Sequence, residues 1–229
     1  MPRAFFAFII ISGFALGGCW EGVTRETLAT LLSVHGEVVD LSNTSGDRHP
    51  IDSASRLGAG SVLATSSDAQ ADLILIPGAL IRLLGESEFK IEQLELTKDG
   101  NETGDAMRER VARVELRRGG MIVLFEGFAR FTIDTPKATI TVLPSCLLRV
   151  DVDPNRLRLT CVRGKVSVTP QHGEMITVDG GFFREWPSKG NSVSLIEDAQ
   201  GQKDTAAALQ VARELQELEA AHRDRLPIN

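Results

Sequence analysis

The 229-residue chain has no tyrosine, two tryptophans, four histidines and only three cysteines. Each scarcity closes off a class of function. His35, His49, His172 and His222 are scattered, with no cysteine or carboxylate at ligand spacing, so no metal centre is expected. Nor does the sequence hold a Gly-x-Ser-x-Gly elbow, a phosphate-cradling glycine loop opening a helix, or His-Glu-x-x-His. A basic surplus is also missing. Twenty-five Lys and Arg stand against 31 Asp and Glu, a net charge of −6, which argues against a broad nucleic-acid-binding face. The expectation is a protein without enzymatic activity and without a cofactor. Any two of its carboxylates could still meet in space, so a carbohydrate-active enzyme stays as the weakest alternative.

Long apolar runs are lacking as well. The longest, Ala4 to Leu16, is broken only by Ser12 and Gly13 and is too short for a standard membrane span. Preceded by Met1-Pro-Arg3, it reads as a secretory signal over residues 1–18. It ends in Leu16-Gly17-Gly18-Cys19, which resembles the bacterial lipobox, where the cysteine thiol carries a diacylglycerol. Cys19 is therefore read as the lipidation site of a protein tethered to a bacterial membrane, facing the periplasm or the cell surface. Residues 19–32 follow as a tether.

What the sequence has in quantity is glycine and period-2 alternation. From 33 to 187 it gives short apolar-alternating stretches separated by Gly, Pro and Asp turns, with no helical period, as an all-β domain requires. The clearest piece is the pair of arms Cys146–Val152 and Asn155–Cys161 around Asp153-Pro154. Folded over a two-residue Asp-Pro turn, they set Val150 opposite Leu157, Leu148 opposite Leu159 and Cys146 opposite Cys161. One face is then Cys146, Leu148, Val150, Val152, Leu157, Leu159 and Cys161; the other carries Arg149, Asp151, Arg156 and Arg158. With Cys19 used as anchor, Cys146 and Cys161 form an even pair in an oxidising compartment and are expected to form a disulfide, the alternative being two free buried thiols that pack as small hydrophobes. Such a closed loop is worth about 3 kcal/mol in the chain-entropy model. Elsewhere Gly119-Gly120 reads as a turn that pairs Val111–Leu116 with Met121–Phe125. Met175–Val178 and Phe182–Trp186 read as a closing hairpin, with Phe182, Phe183 and Trp186 expected first as core or edge packing and, as the alternative, a candidate ligand or partner surface. Thr97 to Arg110 reads as a solvated loop, a poor match to a calcium loop.

Only the end is helical. After a linker over 188–203, residues 204–229 place Ala208, Val211, Leu215, Leu218 and His222 at steps of three and four, an amphipathic helix closed by Pro227.

The order of short motifs resembles the FecR domain. Leu57-Gly-Ala-Gly-Ser-Val-Leu-Ala-Thr65, Ala71-Asp-Leu-Ile-Leu75, Pro77-Gly78 and Ile81-Arg-Leu83 are similar to its first half. Val114-Glu-Leu-Arg-Arg-Gly-Gly120, Phe131-Thr-Ile-Asp-Thr-Pro136, Ala138–Val142 and Val162-Arg-Gly-Lys-Val-Ser-Val168 are similar to its second. Val142-Leu-Pro-Ser145 departs from the family's "val-arg-gly-thr", and Pro77-Gly78 stands where Asp-Gly is common. The resemblance implies a twisted antiparallel β-roll or solenoid-like domain without a catalytic role, here with a C-terminal helix. Best-described members carry an anti-sigma segment and one membrane helix before the domain and relay signals from outer-membrane receptors. The expectation here is a lipid-anchored form lacking both, so the iron-regulator role is not carried over with the fold. Two non-enzymatic functions follow: a lipid-anchored module that binds or senses an envelope protein or ligand, or an assembly subunit of a membrane complex that uses the terminal helix.

Overall fold

The structure is a computed structural model that describes residues 23–42, 49–52, 55–98, 107–187 and 190–225. The signal segment, Cys19, the loop segments at 43–48 and 99–106, and Pro227 lie outside the described residues.

The chain enters as β1 (Val23–Glu26) and β2 (Thr30–His35), then β3 (Val38–Asp40), β4 (His49–Pro50) and β5 (Val62–Thr65). The hairpin β6 (Gln70–Ile76) and β7 (Ala79–Leu83) turns at Pro77-Gly78, where Gly78 takes a φ of 85°. Then come β8 (Glu88–Lys98), the 19-residue β9 (Met107–Phe125), β10 (Arg130–Asp134) and β11 (Ala138–Val142). The pair β12 (Cys146–Val152) and β13 (Leu157–Arg163) is followed by β14 (Lys165–Pro170), β15 (Ile176–Asp179), β16 (Phe182–Trp186) and β17 (Val193–Ser194). Helix α1 (Ala199–Asp224) closes the chain.

These strands form two layers that share β9. In the first layer the initial half of β9 pairs with β8 and, in parallel, with β10; β11, β14 and β15 extend that side, and β1, β5, β3 and β4 continue beyond β8. In the second, Gly119–Phe125 lies between β7 and β12, within the order β2-β6-β7-β9-β12-β13-β16-β17. Arg130 is the neighbour of Val111, although it follows Phe125 by only a short loop. A straight strand from Val111 to Phe125 would span about 46 Å, whereas the link from Phe125 to Arg130 reaches roughly 18 Å at most. So β9 must fold back on itself. The fold falls at Gly119-Gly120, where Gly119 has a φ of 84°. It brings Phe125 of one layer onto Phe131 of the other, edge to face, with ring centroids 5.6 Å apart.

This corrects the sequence reading of Gly119-Gly120. The two glycines bend one strand over the core, and Val111–Leu116 and Met121–Phe125 each pair with other strands. Between the layers lies one apolar core, supplied by alternate residues: Phe89, Ile91, Val114, Phe131, Ile133 and Ile140 from the first, Leu73, Ile81, Val123, Leu148 and Leu159 from the second. The all-β class with a terminal helix is as expected.

Two pairings differ from the sequence reading. The β12–β13 register is Val152 with Leu157, Val150 with Leu159 and Leu148 with Cys161, two residues away from the expected one. The turn centres on Pro154-Asn155, because proline belongs at the second turn position and aspartate at the first. Asp153 takes that first position, its carboxylate accepting the N–H groups of Asn155 (2.9 Å) and Arg156 (2.7 Å). A shift by two leaves every side chain on its own face, so the inward set is unchanged. Nor do β15 and β16 close on each other as a hairpin: β15 pairs with β14, and β16 with β13.

Candidate functional site

Strands of the second layer are apolar on both faces. Leu80, Ile122, Leu124 and Leu147 point away from the main core and meet Ala208, Val211, Ala212 and Leu215 of α1. The helical stripe is therefore spent on the protein's own sheet, with Leu218 and His222 half-buried at its far end. Asp198 starts the helix, accepting the Gly201 N–H at 2.6 Å.

Charged residues fix the helix at both sides of that stripe. Arg82 and Asp72 form a bidentate pair (2.6 and 2.9 Å) on neighbouring strands β7 and β6, and Ser33 donates to Asp72 at 2.6 Å. Asp72 is completely buried and Arg82 is 7% exposed. The remaining guanidinium nitrogen of Arg82 donates to Glu214 of the helix. Toward the helix start, Arg158 donates to Glu185 (2.9 Å) and Asp198 (2.8 Å) and stacks on Phe183, 3.9 Å from the ring centroid. Buried Asp204 lies 3.3 Å from Arg149 and 3.4 Å from Arg158. The face that carries Arg149 and Arg158 is thus a lined seat for α1. Sequence spacing could not reveal this, since the acids that pair with it lie far along the chain.

These contacts make helix docking acid-sensitive. Hydrogen bonding to Arg158, then to the Gly201 N–H, holds the Asp198 carboxyl below its ordinary value of 3.8. Hydrogen bonding to Arg82 holds Glu214 below 4.5. Both groups contribute stability that is complete above those ordinary values and is lost as pH falls through the depressed folded ones. The melting temperature should fall in that acid window, and Asp198→Asn with Glu214→Gln should flatten the decline. An unchanged acid limb in the double variant would show that these pairs do not hold the helix.

At the end of the sandwich where β9 folds over, the surface opens into a polar cleft of about 800 Å3. Its walls are the turn at Thr65–Ser67, the turn at Leu84–Glu86, Arg118 with Gly119-Gly120, and the stretch from Arg149 through Asp151 to Pro154. Its floor is rigid and strained. Glu86 has a φ of 58°, and a Cβ on Gly85 would sit 2.0 Å from the Ser67 carbonyl oxygen. Ser87 accepts the Gly120 N–H at 3.0 Å, and the Leu84 and Gly120 carbonyls (2.7 and 2.9 Å) are both within reach of its single hydrogen. Arg118 reaches out from the rim, well exposed. Hydroxyls, guanidinium groups and carboxylates held on a stiff backbone suit recognition of a polar surface.

The residues singled out in the sequence do not gather there. Phe183 and Trp186 are buried, and of the three aromatic residues Phe182 alone is exposed, at 40%. Cys146 and Cys161 are buried thiols in the core. The Cys161 thiol donates to the Arg163 carbonyl at 3.6 Å; as a neighbour, Cys161 draws the Cys146 thiol below its ordinary value, whereas Cys146, together with burial, drives Cys161 up. Among the described residues no cluster of His, Cys, Asp and Glu could hold a metal ion. No described helix is long and apolar enough to cross a membrane.

Fold and cleft together define a two-layered β-domain with a helix seated on one outer face. Residues 61–167 match the family model described as FecR protein. The resemblance read from the short motifs is the same one. Two solved structures, at 1.65 and 2.50 Å resolution, are similar to the chain, each of a proposed anti-sigma factor from Parabacteroides distasonis ATCC 8503. Identity is 13% in both, with TM-scores of 0.42 and 0.41. The match covers 58% of this chain and only 57% of theirs. No curated protein matches the chain.

Proposed function

We propose that this protein is a lipid-anchored, non-enzymatic component of the bacterial cell envelope whose FecR domain binds a protein partner through the polar cleft. One observation carries the reading: every segment that walls the cleft falls within residues 61–167, the stretch that matches the family. The cleft is thus built from the FecR domain itself, without β1–β4 or the helix. Cys19 supplies the tether, and Cys146 with Cys161 is the pair that an oxidising compartment would join. The alternative, an assembly subunit that recruits its complex through the terminal helix, would require α1 to leave its seat, since its apolar stripe already lies on β7, β9 and β12.

Crosslinking in the native envelope followed by affinity capture tests this, with Cys19→Ala and Arg118→Glu as controls. A discrete envelope protein captured by the wild type, lost with Cys19→Ala and weakened by Arg118→Glu, is the expected result. Capture that survives Arg118→Glu but fails when α1 is deleted would transfer the role to the helix. Recovery of lipid and abundant porins alone would overturn the protein-partner reading.

A further inference from the structure

With Cys19 as the proposed tether, the position of β1 bears on which end of the sandwich meets the lipid. Val23 opens β1, four positions after Cys19, so the two lie no more than about 14 Å apart. β1 runs along the edge of the first layer, with Val23 opposite Lys98 and Glu26 opposite Glu95. Glu95 is opposite Val111 on β9, and Val111 is beside Arg130 on β10. Glu26, Glu95, Val111 and Arg130 therefore form one row across four strands, roughly 14 Å long. Past that row, in one direction, lie Val23 and the end of β8. The loop from Glu126 to Ala129, which precedes Arg130, lies past it in the same direction.

That loop presents Phe128. Its ring is 95% exposed, the most exposed of the large apolar side chains among the described residues. It does not flop on a long linker. Gly127 packs so closely on the Pro77-Gly78 turn that a Cβ on Gly127 would approach the Pro77 carbonyl oxygen to 2.9 Å. Glu126 N–H donates to the Gly78 carbonyl at 2.8 Å. The ring is therefore held out by a braced turn. Three ion pairs lie at this end: Arg130 with Glu109 at 3.0 Å, Arg163 with Glu126, and Lys165 with Asp179 at 3.0 Å.

We infer that this end of the sandwich rests on the bilayer and that Phe128 is its second attachment, inserted at the boundary between headgroups and acyl chains. The inference rests on the lipid-anchor reading for its biological setting and adds the partner surface of the opposite end. Phe128 faces the phospholipid, and the cleft at the β9 fold points away from the membrane. Because the inserted group is an uncharged ring, the contact is apolar and does not require anionic lipid.

The test uses the mature full-length chain in phosphatidylcholine vesicles with brominated acyl chains, which quench nearby tryptophan. Trp20 and Trp186 are both replaced by Phe so that the reporter is the sole tryptophan, which is Phe128→Trp at one end or Pro154→Trp at the other. Two forms are compared: the natively processed protein, whose acylation is scored separately by the mass of its N-terminal peptide, and a form held on nickel-chelating lipid by a histidine tag at position 19. The expected result is roughly half the emission lost from the residue-128 reporter, with a blue shift, and none from the residue-154 reporter. Equal quenching of both reporters, or none at 128 in either form, overturns the placement. An unacylated N-terminal peptide would sink the lipid-anchor reading alone, since the tagged form still reports which end meets the lipid.

Discussion

Replacing Arg82 by alanine should cost the protein about 3–5 kcal/mol, the usual effect of removing one member of a buried ion pair. Asp72 would remain fully buried with only the Ser33 hydroxyl as a hydrogen-bonding partner, and Glu214 would lose the group that ties the helix to β7. Urea titration followed by circular dichroism gives the number directly, and the melting temperature should drop by roughly 10 °C. The double variant Asp72→Leu/Arg82→Leu should be milder than Arg82→Ala alone, because it removes both charges together. A loss below about 1 kcal/mol in Arg82→Ala would mean that Asp72 reaches water or another cation, and the account of the helix seat would fail.

Gly119→Ala should cost about 3 kcal/mol or more. An L-residue at a φ of 84° carries a left-handed penalty of about 1–2 kcal/mol. The new Cβ would also lie 2.4 Å from the Ser87 Cα and 2.7 Å from the Glu86 carbonyl oxygen, both backbone atoms that cannot swing aside. Gly60→Ala is the control: it has a comparable φ of 92° and no atom within 4 Å of its Cβ, so it reports the conformational penalty alone. If the two variants lose the same stability, close packing at the fold of β9 contributes nothing and the clash is relieved by movement.

Much of the strand content could be read from alternation, because a half-buried strand writes its burial into every second residue. Leu148, Val150, Leu157 and Leu159 face the core as their spacing requires. Register was less accessible: a shift of two residues preserves each face, so only the chemistry of Asp153-Pro154-Asn155 distinguishes the two pairings. The fold in β9 was hidden for a similar reason. Gly-Gly between two apolar runs is written the same way whether the runs pair with each other or with four different neighbours. Signs of the helix seat were present but not decisive. Met121–Phe125 is apolar without alternation, which marks a strand covered on both sides, yet nothing local says that the cover comes from residues 208–215. The cleft left no motif, since it is assembled from four separate segments that the topology brings together.

A single strand that belongs to both layers also governs how the molecule can come apart. In a sandwich joined only by loops, one sheet can open while the other persists. Here the backbone hydrogen bonds of β9 continue from the first layer through Gly119-Gly120 into the second, where they support β7 and β12. Amide protons in Val111–Leu116 and in Met121–Phe125 should accordingly exchange with one common opening free energy, as parts of one cooperative unit, while those of α1 exchange sooner. A domain built in this way transmits a pull on one layer to the other without a hinge between them.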